Sequence, residues 1–142
     1  MTTTGPTSQR ESSDASYGVS IFAGVLLATV ASFEILQGFS AVLNDDVFVS
    51  GLNYVYEIDV TAWGWYHLFM GAVGLAAGIG ILKGQVWANS VGIGFAVVSA
   101  LGQFAFMPYY PFWSLAIIAM NILVIWALAK QIQSGLDRQA PS

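Results

Sequence analysis

The sequence predicts an all-α membrane protein, a bundle of four transmembrane helices. Its composition is the first observation: the chain is 56% hydrophobic and only 8% charged, whereas a soluble domain carries roughly 25% charged residues. The second is the spacing of its apolar stretches, each of which meets the requirement of roughly 17–25 residues for a spanning helix. These stretches are residues 17–43, 61–82, 86–107 and 112–129.

The residues before the first helix have a different composition. Residues 1–16, MTTTGPTSQRESSDAS, are rich in Thr and Ser and have no hydrophobic anchor, which predicts a disordered tail. The apolar stretch that follows is far longer than the roughly 7–15 apolar residues of a signal peptide. We therefore expect a transmembrane domain over residues 17–132 and a second short tail over residues 133–142.

The basic residues indicate the orientation in the membrane. If the four helices alternate in direction, all the lysines and arginines lie on one side, and the loop of residues 44–60 on the other side has none. Loops rich in lysine and arginine stay in the cytoplasm. Both termini are therefore predicted to be cytoplasmic, with the chain in the plasma membrane. The residues concerned are Arg10, Lys83, Lys130 and Arg138.

The outer loop 44–60 carries acidic residues and two short β-prone pieces, Val47–Val49 and Tyr54–Ile58. The β-prone pieces predict a small hairpin. The acids are weak candidates for a divalent cation site, because their spacing matches no EF-hand pattern; solvated loop charges are the favoured interpretation. The chain has no cysteine, and we expect neither a metal nor a cofactor. The acids are Asp45, Asp46, Glu57 and Asp59.

Aromatic residues concentrate at the predicted membrane boundaries, where amphipathic rings prefer the headgroup level. An interfacial belt is favoured over a box of rings that stacks on a ligand. The outer set includes Trp63, Trp65, Tyr109, Tyr110 and Trp113, and the cytoplasmic set includes Trp87 and Trp126.

Small residues mark the faces that point inward, since helices in lipid associate where small side chains let backbones approach. They recur at helical spacing in the first three helices and predict tight packing rather than an open channel. The principal positions are Gly24, Ala31 and Gly38, then Gly71, Gly74 and Gly78, then Gly92 and Ala96.

Polar residues on the same faces predict a layer in the outer half of the membrane. Its members are Glu34, Gln37, His67, Gln103 and Asn121. At 1.5 Å per residue, His67 lies roughly 9 Å and Glu34 roughly 13 Å below the outer helix ends. A buried carboxylate should be neutral or paired, and His67 is the candidate cation at that depth. We predict a Glu34–His67 pair, with the amide residues as hydrogen-bond partners.

Two interpretations of this layer remain open. It either holds the helices together or forms a protonatable site, and packing is favoured because no further acid continues a relay toward the cytoplasm. No catalytic motif or nucleic-acid-binding basic patch is present. We expect a non-enzymatic accessory or structural component that packs against a second copy or another membrane protein. A small transporter or proton-linked carrier using Glu34 and His67 is the alternative, and a binder of lipophilic ligands is third.

Several segments carry a resemblance to a known family. They are AVLNDDVFV, DVTAWGWYHLFMGAVGLAAGIGILKGQVWA, PYYPFWSL and VIWAL. Together they resemble a family of small four-pass actinobacterial membrane proteins of unknown function, over about residues 18–129. In that family an arginine and an acid are usual at the positions of Asn89 and Asn121. The resemblance implies the fold and the location but no activity.

Overall fold

Four α-helices form in the part of the chain that the structure describes. The computed structural model describes residues 5–43, 59–108 and 110–140. Within these ranges each helix is long and apolar enough to cross a membrane and no strand is present, so the all-α, four-helix prediction is confirmed. The predicted hairpin lies outside the described residues. The helices are α1 (Pro6–Leu43), α2 (Val60–Leu82), α3 (Val86–Phe106) and α4 (Pro111–Gln139).

Local sequence signals explain several helix ends. The side chain of Asp59 accepts hydrogen bonds from the backbone N–H groups of Thr61 and Ala62, which caps the start of α2. Pro111 is the first residue of α4, where a missing N–H has no cost. The tight turn between α2 and α3 contains Gly84 at φ 73°, a conformation that other side chains rarely adopt.

Two helices are longer than predicted. Helix α1 begins at Pro6 rather than at residue 17, and α4 ends at Gln139 rather than at residue 129, so the predicted tails are helical over residues 6–16 and 133–139. A helix that is already nucleated gains one hydrogen bond for each added residue, and the second extension is helical despite the low helix propensity of Gly135. Nη2 of Arg138 also donates to Oγ of Ser16 at 3.0 Å, which joins the two extensions.

The helices pack in the order α1, α2, α3, α4 and back to α1, with the most extensive contact between α1 and α2. Helices α1 and α3 therefore face each other across the interior. The apolar core includes Leu27 and Val30 of α1, Ile81 of α2, and Val124 and Leu128 of α4, which are almost completely buried.

The predicted small-residue positions all lie in the interior. Gly24, Gly38, Gly71, Gly74, Gly78 and Gly92 are buried, as are Ala31 and Ala96. A Cβ atom added to Gly38 would lie 2.7 Å from the backbone nitrogen of Leu68 and 2.8 Å from the carbonyl oxygen of Gly64. The backbones of α1 and α2 are thus too close at this level for any side chain larger than hydrogen.

Gly38→Ala should destabilise the α1–α2 contact, because the new methyl group meets backbone atoms that cannot move aside. We expect a loss of about 1–3 kcal/mol, typical of overpacking, measured by thermal or denaturant unfolding in detergent. The matched control is Gly94→Ala, where an added Cβ has no atom within 4 Å. If Gly38→Ala and Gly94→Ala had the same stability to unfolding, the close approach of the two backbones at Gly38 would be contradicted.

A buried polar cluster joins the four helices

Glu34 lies at the centre of the protein interior. It occupies the inward face of α1 between Ala31 and Gly38, and only 2% of its surface is exposed. An ionised carboxylate at the middle of a membrane costs on the order of 2.5–3.5 kcal/mol on insertion scales. The neighbouring helices must therefore supply its partners.

His67 supplies the first partner, from α2. Its Nδ1 contacts Oε2 of Glu34, and 3% of His67 is exposed. This contact is an N–H···O bond when the imidazole carries the proton and an O–H···N bond when the carboxyl group carries it. In either state the structure brings together the two residues that the sequence pairs.

Ser99 and Asn121 extend the contact to α3 and α4. Oγ of Ser99 donates to Oε1 of Glu34, and Nδ2 of Asn121 donates to Oγ of Ser99 at 3.0 Å. A hydroxyl group has a single hydrogen to donate, so Ser99 accepts from Asn121 while it donates to Glu34. We call Glu34, His67, Ser99 and Asn121 the polar cluster; each helix contributes one member.

Gln37 and Gln103 form a second contact across the interior, one helical turn from the polar cluster. Nε2 of Gln103 donates to Oε1 of Gln37 at 3.0 Å. Helices α1 and α3 are thus connected twice by polar side chains, through Glu34–Ser99 and through Gln37–Gln103.

Spare acceptor atoms remain next to these contacts. The side-chain oxygens of Gln103 and Asn121 are buried, and neither has a hydrogen-bond partner in the described structure. Unpaired acceptors are unfavourable in an apolar interior. The cluster can therefore accommodate a further donated hydrogen, such as that of a protonated group.

The aromatic residues divide into two groups. Trp65, Tyr110, Trp113, Trp87 and Trp126 are exposed at the surface, where a bilayer would surround them. Trp63 is different: its ring contacts the ring of His67 edge-on at 4.8 Å between centroids and stacks on Phe106 at 5.4 Å. Trp63 therefore packs over the polar cluster as well as lying near the N-terminal end of α2. Tyr109 lies outside the described residues.

Three of the four acids of the loop, Asp45, Asp46 and Glu57, lie outside the described residues. Asp59, the remaining member, caps α2. Among the described ranges, no group of three or more His, Asp or Glu side chains is arranged to hold a metal ion.

Ser99 is the cluster member that the sequence patterns do not predict. It lies one turn before Gln103 on the same inward face of α3, and it is buried. Its position in the stripe of Gly92 and Ala96 was the available signal. A serine at this spacing ordinarily serves as a small packing residue, so the sequence does not predict the polar role of Ser99.

Comparison with known proteins gives a family and no relatives of established activity. The profile of a domain of unknown function (DUF7144) matches residues 19–133, a range that includes the whole polar cluster. No match was found among curated proteins or among solved structures.

A double-mutant cycle tests whether the Glu34–His67 contact contributes to folding. We expect Glu34→Gln and His67→Gln to show a coupling energy of about 1–2 kcal/mol in unfolding measurements, above the average of about 0.6 kcal/mol for interhelical hydrogen bonds in membranes. The larger value is expected because the pair can share a charge and is buried.

The control cycle combines Glu34→Gln with Ser32→Ala, whose hydroxyl group bonds Ala28 of its own helix. That cycle should give no coupling. Equal coupling energies in the two cycles would show that the Glu34–His67 contact has no specific energetic role.

Proposed function

The chain belongs to the family of the domain of unknown function DUF7144, and we propose that it is a non-enzymatic accessory or structural membrane protein that acts through helix packing. The observation that carries this proposal is that all four helices meet in one buried polar cluster. Both carboxylate oxygens of Glu34 are engaged, one by His67 and the other by Ser99. Polar contacts of this kind define the rotation and depth of helices in lipid.

An apolar layer supports the packing role. Leu27, Ile81 and Leu128 are almost completely buried and surround Gly92, where an added Cβ would contact all three. Leu27, Leu128 and Gly92 each lie seven residues toward the predicted cytoplasmic side from a cluster member, a distance of roughly 10 Å along a helix. A proton leaving the cluster inward would have to cross this layer.

The outer surface of the four helices is the proposed contact area for a partner, either a second copy or another membrane protein. Each helix presents at least one large exposed phenylalanine, and on each helix one of them can be replaced by a photo-reactive phenylalanine analogue with little change of shape. These positions are Phe39, Phe69, Phe104 and Phe112.

Photo-crosslinking in native membranes should give a discrete protein adduct at the helix face that contacts the partner, and lipid adducts at the other positions. The adduct should contain a second copy of this chain or one stoichiometric partner, identified by mass spectrometry. The buried Phe95 is the control, because an analogue there can react only within the chain. Lipid adducts alone at all four exposed positions would contradict the accessory role.

A proton-linked carrier is the second candidate function, favoured by the titratable pair Glu34–His67 and the unpaired oxygens of Gln103 and Asn121 beside it. Intramembrane Glu and His residues often mark proton pathways. A proton-linked carrier would show pH-dependent proton flux across the membrane of reconstituted vesicles, and Glu34→Gln would abolish this flux. Flux that persists in that variant, or no flux above that of empty vesicles, would leave the packing role as the explanation of the cluster.

We also propose that the protein lies in the plasma membrane with both termini in the cytoplasm. The chain has no cysteine, so a cysteine introduced at one position is the single thiol of the chain that can be labelled. We expect Ser50→Cys to react with an impermeant maleimide in intact cells, and Thr7→Cys and Gln133→Cys to react only after permeabilisation. The reverse pattern would contradict the orientation inferred from the basic residues.

A further inference from the structure

We infer that the end of the protein next to the α2–α3 turn binds the headgroup of an anionic phospholipid. A groove of about 220 Å³ lies there between the N-terminal half of α1 and the end of α2. It is remote from the polar cluster along both helices that line it, so the inference depends only on the membrane location and not on the role of Glu34 or His67.

The polar end of the groove is suited to a phosphate group. Lys83 and Tyr17 both line it and both are exposed. An ammonium group and a phenolic hydroxyl group are donors that a phosphodiester accepts. None of the described residues that line the groove is acidic, so the charge favours an anion.

The remaining wall is suited to acyl chains. Ile21 of α1 and Leu82 of α2 line the same groove, and both are partly exposed toward the surrounding bilayer. A ligand that contacts both the polar end and the apolar wall of the groove must be amphiphilic, with an anionic head and an apolar tail. A free phosphate would leave the apolar wall unused.

The turn places these groups at the headgroup level. Lys83 follows the last residue of α2 directly, and the indole N–H of Trp87 donates to Oε1 of Gln85 at 2.7 Å. Tryptophan and lysine at helix ends are typical of the interface between headgroups and hydrocarbon. On the predicted topology this interface belongs to the cytoplasmic leaflet, which is the anionic one.

Native mass spectrometry of the full-length protein from mixed micelles tests the inference, with phosphatidylglycerol and phosphatidylcholine as probes. We expect one phosphatidylglycerol to be retained in preference to phosphatidylcholine. Lys83→Gln should weaken the binding of phosphatidylglycerol about fivefold, which is the effect expected from the loss of one basic residue at an anionic surface. Lys83→Arg should restore it, which separates loss of the site from loss of the fold.

Lys130→Gln is the matched control, since it removes the same charge on the same predicted side. The ammonium group of Lys130 lies over the ring of Trp126 at 4.8 Å and does not line the groove. The affinity of the Lys130→Gln variant for phosphatidylglycerol should stay within about twofold of the wild-type value, because a charge outside the groove acts on the lipid only through a field that salt screens. Equal losses for the two glutamine variants, no preference between the two lipids, or full displacement by glycerol phosphate would each overturn the inference.

Discussion

A carboxylate that is buried in a membrane has to find its partners within the protein, because the hydrocarbon offers none. Glu34 imposes this constraint on every other helix. Its two oxygens are met from two directions, by His67 of α2 and by Ser99 of α3, and Asn121 of α4 completes the hydrogen bonding of Ser99. Rotating any one helix by a single residue, about 100°, would remove its side chain from the cluster. The polar cluster therefore specifies how the helices face each other, which apolar packing in lipid does only weakly.

The small residues make these contacts geometrically attainable. Gly38 and Gly64 approach one another on one side of the Glu34–His67 contact, and Ala31 and Gly71 do so on the other. With the backbones this close, a glutamate and a histidine on adjacent helices can meet without displacing larger neighbours. Ser99 has a short side chain and reaches Glu34 only because its helix is held near α1 across the interior. The glycines and the polar cluster are thus two parts of one interface.

Much of this arrangement follows from the sequence. The composition of the apolar stretches predicts the number of helices. The spacing of the polar residues along their helices, together with their depth below the helix ends, predicts that Glu34 pairs with His67. Ser99 was not predictable in the same way, since a serine in a membrane helix often bonds its own backbone, as Ser32 does with Ala28. Only the packing of α3 against α1 distinguishes the two serines. Likewise, the amphipathic character of Trp63 predicts an interface but cannot reveal that its ring also covers His67, and the polar residues before Tyr17 carry no signal that α1 continues through them.

The hydrogen-bond directions within the polar cluster connect the packing role to the proton chemistry. With Glu34 ionised, Asn121 donates to Ser99 and Ser99 donates to Glu34. A proton placed on Oε1 of Glu34 would turn it into a donor, and Ser99 could then donate to the unpaired oxygen of Asn121 once that amide rotates. In both arrangements Ser99 connects Glu34 to Asn121, so the hydrogen bonds that join α1, α3 and α4 would be kept. Transport would require in addition that the proton leave on the opposite side, and the apolar layer of Leu27, Ile81 and Leu128 opposes that step in the arrangement seen here.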